Sequence, residues 1–187
     1  MGQYDKDNYV IEVKLMDNVS DDRWEPLYKR SPSIREYKEY YKKTIVHSFN
    51  PTAERLIRFF MEYDNGVLFP DKFNCCEPVN KPFNESCVAQ AVSYLANPAG
   101  CVYLKKSRFA DIDIENKTFS FGWIDGVYSE PLVPLPHYLT IITVYFPKKK
   151  NTDLGFIIQL MKDIKSYFDA DNGKVFYQAT KEIIAEE

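Results

Sequence analysis

Four thiols, two imidazoles and one evenly spaced row of carboxylates are the side chains of this 187-residue chain that invite chemistry. The thiols belong to Cys75, Cys76, Cys87 and Cys101, the imidazoles to His47 and His137. A zinc site draws on ligand pairs about two to four residues apart, twice over. Adjacent Cys75 and Cys76 do not readily turn toward one ion, and no His stands near them, so the thiols read as buried and reduced. Neither histidine sits in a His-x-x-x-His spacing, and a Cys87–His137 nucleophile pair is one that any chain with these residues allows. The seven glycines are scattered, which speaks against Walker and dinucleotide loops.

The carboxylate row is Asp111, Asp113 and Glu115. Alternate positions share one face of a strand. Such a row suits a divalent cation or nuclease chemistry, or an anionic surface that meets a basic partner. The plainer expectation is a solvated outer face opposite Ile112 and Ile114.

Composition narrows the class further. Hydrophobic residues at 45 %, charged at 27 % and aromatic at 16 % exclude collagen, long disorder and a disulfide-dense miniprotein. A net charge of −3 argues against a general nucleic-acid binder. Residues 1–25 hold seven acids and three bases, residues 26–50 six bases and two acids. The basic stretch carries Tyr37, Tyr40 and Tyr41, but Glu36 and Glu39 interrupt it, so it reads as a solvated helix face. The first residues are charged where a secretory signal needs an apolar run, and Lys6 stands where a myristoylation pattern wants Ser or Thr. No apolar run approaches the roughly 20 residues that cross a bilayer. The expectation is a cytoplasmic protein with no cofactor, no membrane contact and no nucleic acid, in which the sequons at Asn18, Asn84 and Asn116 are chance.

The elements that must position these residues are legible from periodicity. Tyr9 to Leu15 alternates as a strand. Asp17 to Pro32 is polar and turn-rich, and Ser33 can cap a helix over Ile34–Lys43. Asn50-Pro51 opens a helix that Asn65-Gly66 stops, and Asn84 opens another that ends before Asn97-Pro98. Pro70, Pro78 and Pro82 make residues 67–83 an irregular connection. Strands follow at Cys101–Leu104, Phe109–Ile114 and Phe119–Trp123, with a hairpin at Asp125-Gly126 and a strong strand at Tyr138–Phe146. Thr152 caps a helix whose apolar stripe runs from Leu154 to Phe168 and which Asn172-Gly173 closes. A short strand, Val175–Tyr177, and a last helix, Ala179–Ala185, complete the chain. The pattern predicts one α+β domain over residues 1–187, an antiparallel or mixed sheet with helices packed on it, and residues 1–50 as a peripheral extension.

Fourteen tyrosines and two tryptophans exceed what a core of this size needs, and such rings suit interfaces. The stretch from Phe69-Pro70-Asp71-Lys72-Phe73 through Glu77-Pro78-Val79-Asn80-Lys81-Pro82-Phe83 leads into a helix. Asn97-Pro98-Ala99-Gly100-Cys101-Val102-Tyr103-Leu104-Lys105-Lys106 and Ile114-Glu115-Asn116 follow. A hairpin, a strand ending in Phe146-Pro147 and a helix leading to Asp171-Asn172-Gly173-Lys174-Val175 come next. In this order the chain resembles the cytoplasmic immunity proteins of bacterial polymorphic-toxin systems grouped as Immunity protein 52, over about residues 50–177.

The resemblance implies a non-catalytic inhibitor that binds a cognate toxin domain and masks its active site or substrate surface. The family offers no binding motif to carry over, so the contact residues are read from this chain alone. They are Asp21, Asp22 and Trp24, the row Asp111, Asp113 and Glu115, and Asp125 and Tyr128 at the hairpin. Acids of this kind would complement a basic toxin such as a nuclease and speed its capture. The competing readings are a hydrolase using Glu77 or the acidic row, which requires a deep pocket where acids and a His converge, and a non-catalytic adaptor module.

Overall fold

Wherever apolar and polar residues alternate, the chain forms strands whose apolar members turn to one common side. The computed structural model describes residues 7–15, 51–95, 100–118, 123–124, 127–128, 138–170 and 172–187. The strands are β1 (Asn8–Leu15), β2 (Lys72–Asn74), β3 (Lys81–Pro82), β4 (Cys101–Lys106), β5 (Ala110–Thr118), β6 (Trp123–Ile124), β7 (Val127–Tyr128), β8 (Tyr138–Pro147), β9 (Asn172–Tyr177) and β10 (Ile183–Glu186). The helices are α1 (Pro51–Gly66), α2 (Val88–Leu95) and α3 (Leu154–Phe168). Eight strands form one sheet in the order β10-β9-β1-β8-β5-β4-β2-β3, while β6 and β7 pair separately. Every described pairing is antiparallel, and the expected α+β fold holds with the sheet resolved as antiparallel. No helix among the described residues is long and apolar enough to cross a membrane.

The register explains the core. Ile11 lies opposite Val144, which lies opposite Ile112; one step on, Val13, Ile142 and Ile114 align in the same way. Leu104 and Val102 extend these rows on one flank, Val175 and Gly173 on the other. Leu56, Ile57 and Phe60 of α1, the apolar face of α2, and Ile157, Leu160, Met161 and Ile164 of α3 join the same buried cluster. Each such side chain, once buried, contributes about 1.5–3 kcal/mol. Of the first fifty residues, 8–15 form an inner strand between β9 and β8. The expected helix over Ile34–Lys43, the caps Ser33 and Asn50, the strand residues Phe119 and Phe121, and both histidines lie outside the described residues.

One polar pair is set into this apolar layer. Asn116 of β5 and Thr140 of β8 face each other, and the Thr140 hydroxyl donates to the Asn116 Oδ1 at 2.8 Å. The Asn116 amide donates in turn to the carbonyl of Leu95 at 2.8 Å, where α2 ends. The two side chains are 4 % and 0 % exposed, so Asn116 is a buried register pin rather than an exposed sequon.

Four local expectations change. The residue capping α3 is Asp153, whose carboxylate accepts from the Phe156 N–H at 3.1 Å. Thr152 instead closes the turn before it, accepting from the Lys149 N–H at 2.8 Å and donating to the Pro147 carbonyl at 3.0 Å. The helix stops at Asp169, left-handed at φ 51°, which Asp tolerates at such a position. Asn172-Gly173 is therefore free to begin β9, where glycine serves packing: a Cβ on Gly173 would stand 2.8 Å from the Met161 sulfur.

The last segment is strand β10, not a helix. So short a helix gains little on its own, whereas the open edge of β9 offers a hydrogen-bond ladder, reached through a turn with Lys181 at φ 59°. The connection over 67–83 likewise hides two short edge strands, and Pro82 is tolerated there because its missing N–H faces no further strand.

Asn116→Leu takes the partner from Thr140 and from the Leu95 carbonyl, and should lower unfolding stability by about 1–3 kcal/mol in urea titration. Gly173→Val should cost a similar ~1–3 kcal/mol by overpacking against Met161 and Val13, and Met161→Ala should recover part of it.

Candidate functional site

The residues that the register turns away from α1, α2 and α3 form a grid. One row across the strands runs Lys174, Glu12, Thr143, Asp113, Tyr103. A second runs Phe176, Val10, Tyr145, Asp111, Lys105, and a third Lys14, Ile141, Glu115, Cys101. The sheet thus brings Asp111, Asp113 and Glu115 onto one face as their spacing implies. It adds Glu12 of β1, which lies in line with Thr143 and Asp113.

The charges of this face are worked into ion pairs, two across strands and one along β1. Lys174 Nζ lies 3.0 Å from the Glu12 carboxylate, Lys14 Nζ 3.6 Å from it, and Lys105 Nζ 3.6 Å from Asp111. The Tyr103 hydroxyl donates to Glu115 Oε1 at 3.1 Å. Asp113 is only 7 % exposed, so the row is not a freely solvated edge, contrary to the plainer expectation. Between β1, β8, β5 and the turn after β9 lies a groove of about 240 Å³, whose lining carries Glu12, Asp113 and Glu115 against the ammonium of Lys181.

Burial governs the ionisable groups here. It pushes Asp111 above the usual carboxylate range, with Glu77 adding to the shift and Lys105 pulling against it. Burial raises Tyr103 as well, helped by the Cys101 thiol and by Glu115. The thiols of Cys101 and Cys75 are raised by the same cause, and Cys101 Sγ donates to the Cys75 carbonyl at 3.1 Å. Thiols held protonated are poor nucleophiles and poor metal ligands. Among the described residues no three His, Cys, Asp or Glu side chains gather in a way that could hold a metal ion.

The other expected contact residues cannot be set against this face. Asp21, Asp22, Trp24 and Asp125 lie outside the described residues, and Tyr128 is seen through its backbone pairing with Trp123 in the β6–β7 ribbon. Glu77 is exposed in the bend between β2 and β3.

A second concavity, which the sequence reading missed, opens among the end of α1, the β4–β5 turn, the end of β8 and the start of α3. It measures about 330 Å³. Its apolar part is a triangle of rings: Phe109 stands edge-on to Phe146 at 5.7 Å and to Phe156 at 6.0 Å, and Phe146 to Phe156 at 6.1 Å. Tyr63 continues the ring contacts from Phe156, and its hydroxyl donates to Asp163 at 2.7 Å. The β4–β5 turn is stapled by Asp71, which accepts from the Ser107 N–H at 2.8 Å and lies 3.4 Å from Lys106. Partial burial opposes ionisation of Asp71, yet Ser107 and Lys106 together hold it below the ordinary value.

No family model matches the chain, and no curated protein or solved structure matches it either.

An acid raised on folding contributes stability only while protonated, and that contribution is lost as pH climbs through its folded value. Ionised Asp111 therefore opposes folding at neutral pH. Asp111→Asn should melt higher than the parent at pH 7, by up to about 2 °C, and the gap should close toward pH 3 in calorimetric scans.

Proposed function

We propose that the chain is a non-catalytic inhibitor, the immunity partner of a basic protein toxin, and that it docks through the sheet face bearing Glu12, Asp111, Asp113 and Glu115. The observation that carries this reading is the face itself: four carboxylates fixed on β1 and β5, the two strands that flank β8, with Asp111 among them kept there against the cost of its burial. Residues that oppose folding are retained where binding or chemistry needs them.

A rigid face suits inhibition. Docking onto strands orders few side chains, so little of the binding energy is lost to conformational entropy. Lys14, Lys105 and Lys174 hold the acids in place in the free protein. Arginines and lysines of a toxin would take over those carboxylates, and Tyr103 and Tyr145 would supply ring area between them. The resemblance to toxin-immunity proteins, the acidic balance of the chain and its tyrosine surplus point the same way.

A tagged chain recovered from its native cells should bring down one stoichiometric protein that is toxic when expressed alone and harmless beside this chain. Glu115→Lys should weaken that complex by about 10- to 100-fold, chiefly through faster dissociation, in surface plasmon resonance. Recovery of the chain alone, or a complex indifferent to Glu115→Lys and Glu12→Lys, would contradict the reading.

A further inference from the structure

The ring-lined cleft, on the helix side of the sheet, shares no lining residue with the docking face. From its geometry we propose that it is a binding site for a small amphipathic carboxylate, an apolar body of one ring or a short alkyl chain ending in an anion.

Size fixes the body of the ligand. An apolar cavity of about 150 Å³ is enough to hold benzene. This cleft, at about 330 Å³, has room for a ring and a short tether, and lies at the small end of ligand pockets. Its floor is Phe146, Phe156 and Ile157, all packed into the core, so the apolar surface is preformed. Phe109 stands at the mouth, 37 % exposed despite its contacts with two of these rings.

Charge fixes the head group. Arg108 and Lys149 line one corner, and Lys149 Nζ donates to the Arg108 carbonyl at 2.8 Å, which ties the two cationic residues together. Arg108 is held at φ 64° in the stapled turn, a conformation that costs a non-glycine residue energy. Its guanidinium makes no ion pair with any described residue. Two acids also line the cleft. Asp153 already accepts the Phe156 N–H, and Asp64 lines the cleft from the end of α1. An anion at the Arg108–Lys149 corner would receive the planar, bidentate donors that guanidinium offers a carboxylate.

The test is calorimetric titration of the full chain with 4-phenylbutyrate and with its uncharged amide. The carboxylate should bind saturably at one site and at least tenfold tighter than the amide. Arg108→Gln, a change on an exposed turn, should erase that preference while leaving amide binding unaltered. Val67→Trp, which fills the cleft from its rim, should abolish both. Absence of saturable binding, equal affinity for the two compounds, or carboxylate binding untouched by Arg108→Gln would overturn the proposal. So would a cleft that stays empty with these compounds and is instead shielded by the co-purifying protein, since that would make it part of a protein interface.

Discussion

The seating of β8 between β1 and β5 is the constraint on which the rest depends. A strand's side chains alternate, so moving one strand by a single residue exchanges its two faces. With Ile142 and Val144 aligned between Val13, Ile11 and Ile114, Ile112, the apolar rows close under the helices. The same alignment brings Glu12, Thr143 and Asp113 into one line on the far side. Asn116 and Thr140 guard it, because any slip would separate a buried hydrogen-bonded pair and deprive the Leu95 carbonyl of its donor. Core and acidic face are therefore two consequences of one register.

The acids of the outer face show how the free protein tolerates such a surface. Carboxylates gathered on one face repel one another, and burial makes Asp111 harder to ionise. Lysines offset this: Lys174 from across the strands and Lys14 from the same strand on Glu12, and Lys105 from across the strands on Asp111. Pairs at this exposure contribute little to stability and exchange readily. On Asp111, Lys105 works against the upward pull of burial. The ring-lined cleft works by the opposite balance, with apolar surface prepared in advance and charge confined to one corner.

Much of the fold was legible in the residues because periodicity is a local signal. Alternation found β1, β5 and β8, the three-and-four spacing found α1 and α3, and Asp125-Gly126 found the β6–β7 hairpin. Alternation also placed Asp111, Asp113 and Glu115 on a common face. What escaped was whatever depends on a neighbour distant in the chain. β2, β3 and β10 are too short to declare themselves and exist because an edge is open beside them. Asn172-Gly173 looks like a helix stop, yet its glycine answers to Met161 across a layer boundary. Glu12 joins the acidic row, and Phe109, Phe146 and Phe156 join in the cleft, only once the strands are paired, so no spacing could have announced either.

The central claim is that the outer face of β1, β8 and β5 is the docking surface, and lysine footprinting of the purified complex tests it most directly. Acetylation rates would be compared for the free chain and for the chain bound to its co-purifying protein. The account predicts that Lys14, Lys105 and Lys174, which stand among the carboxylates, become protected, while Lys149 at the cleft and Lys162 on α3 react as before. Protection of Lys149 or Lys162 with the outer-face lysines still reactive would contradict it.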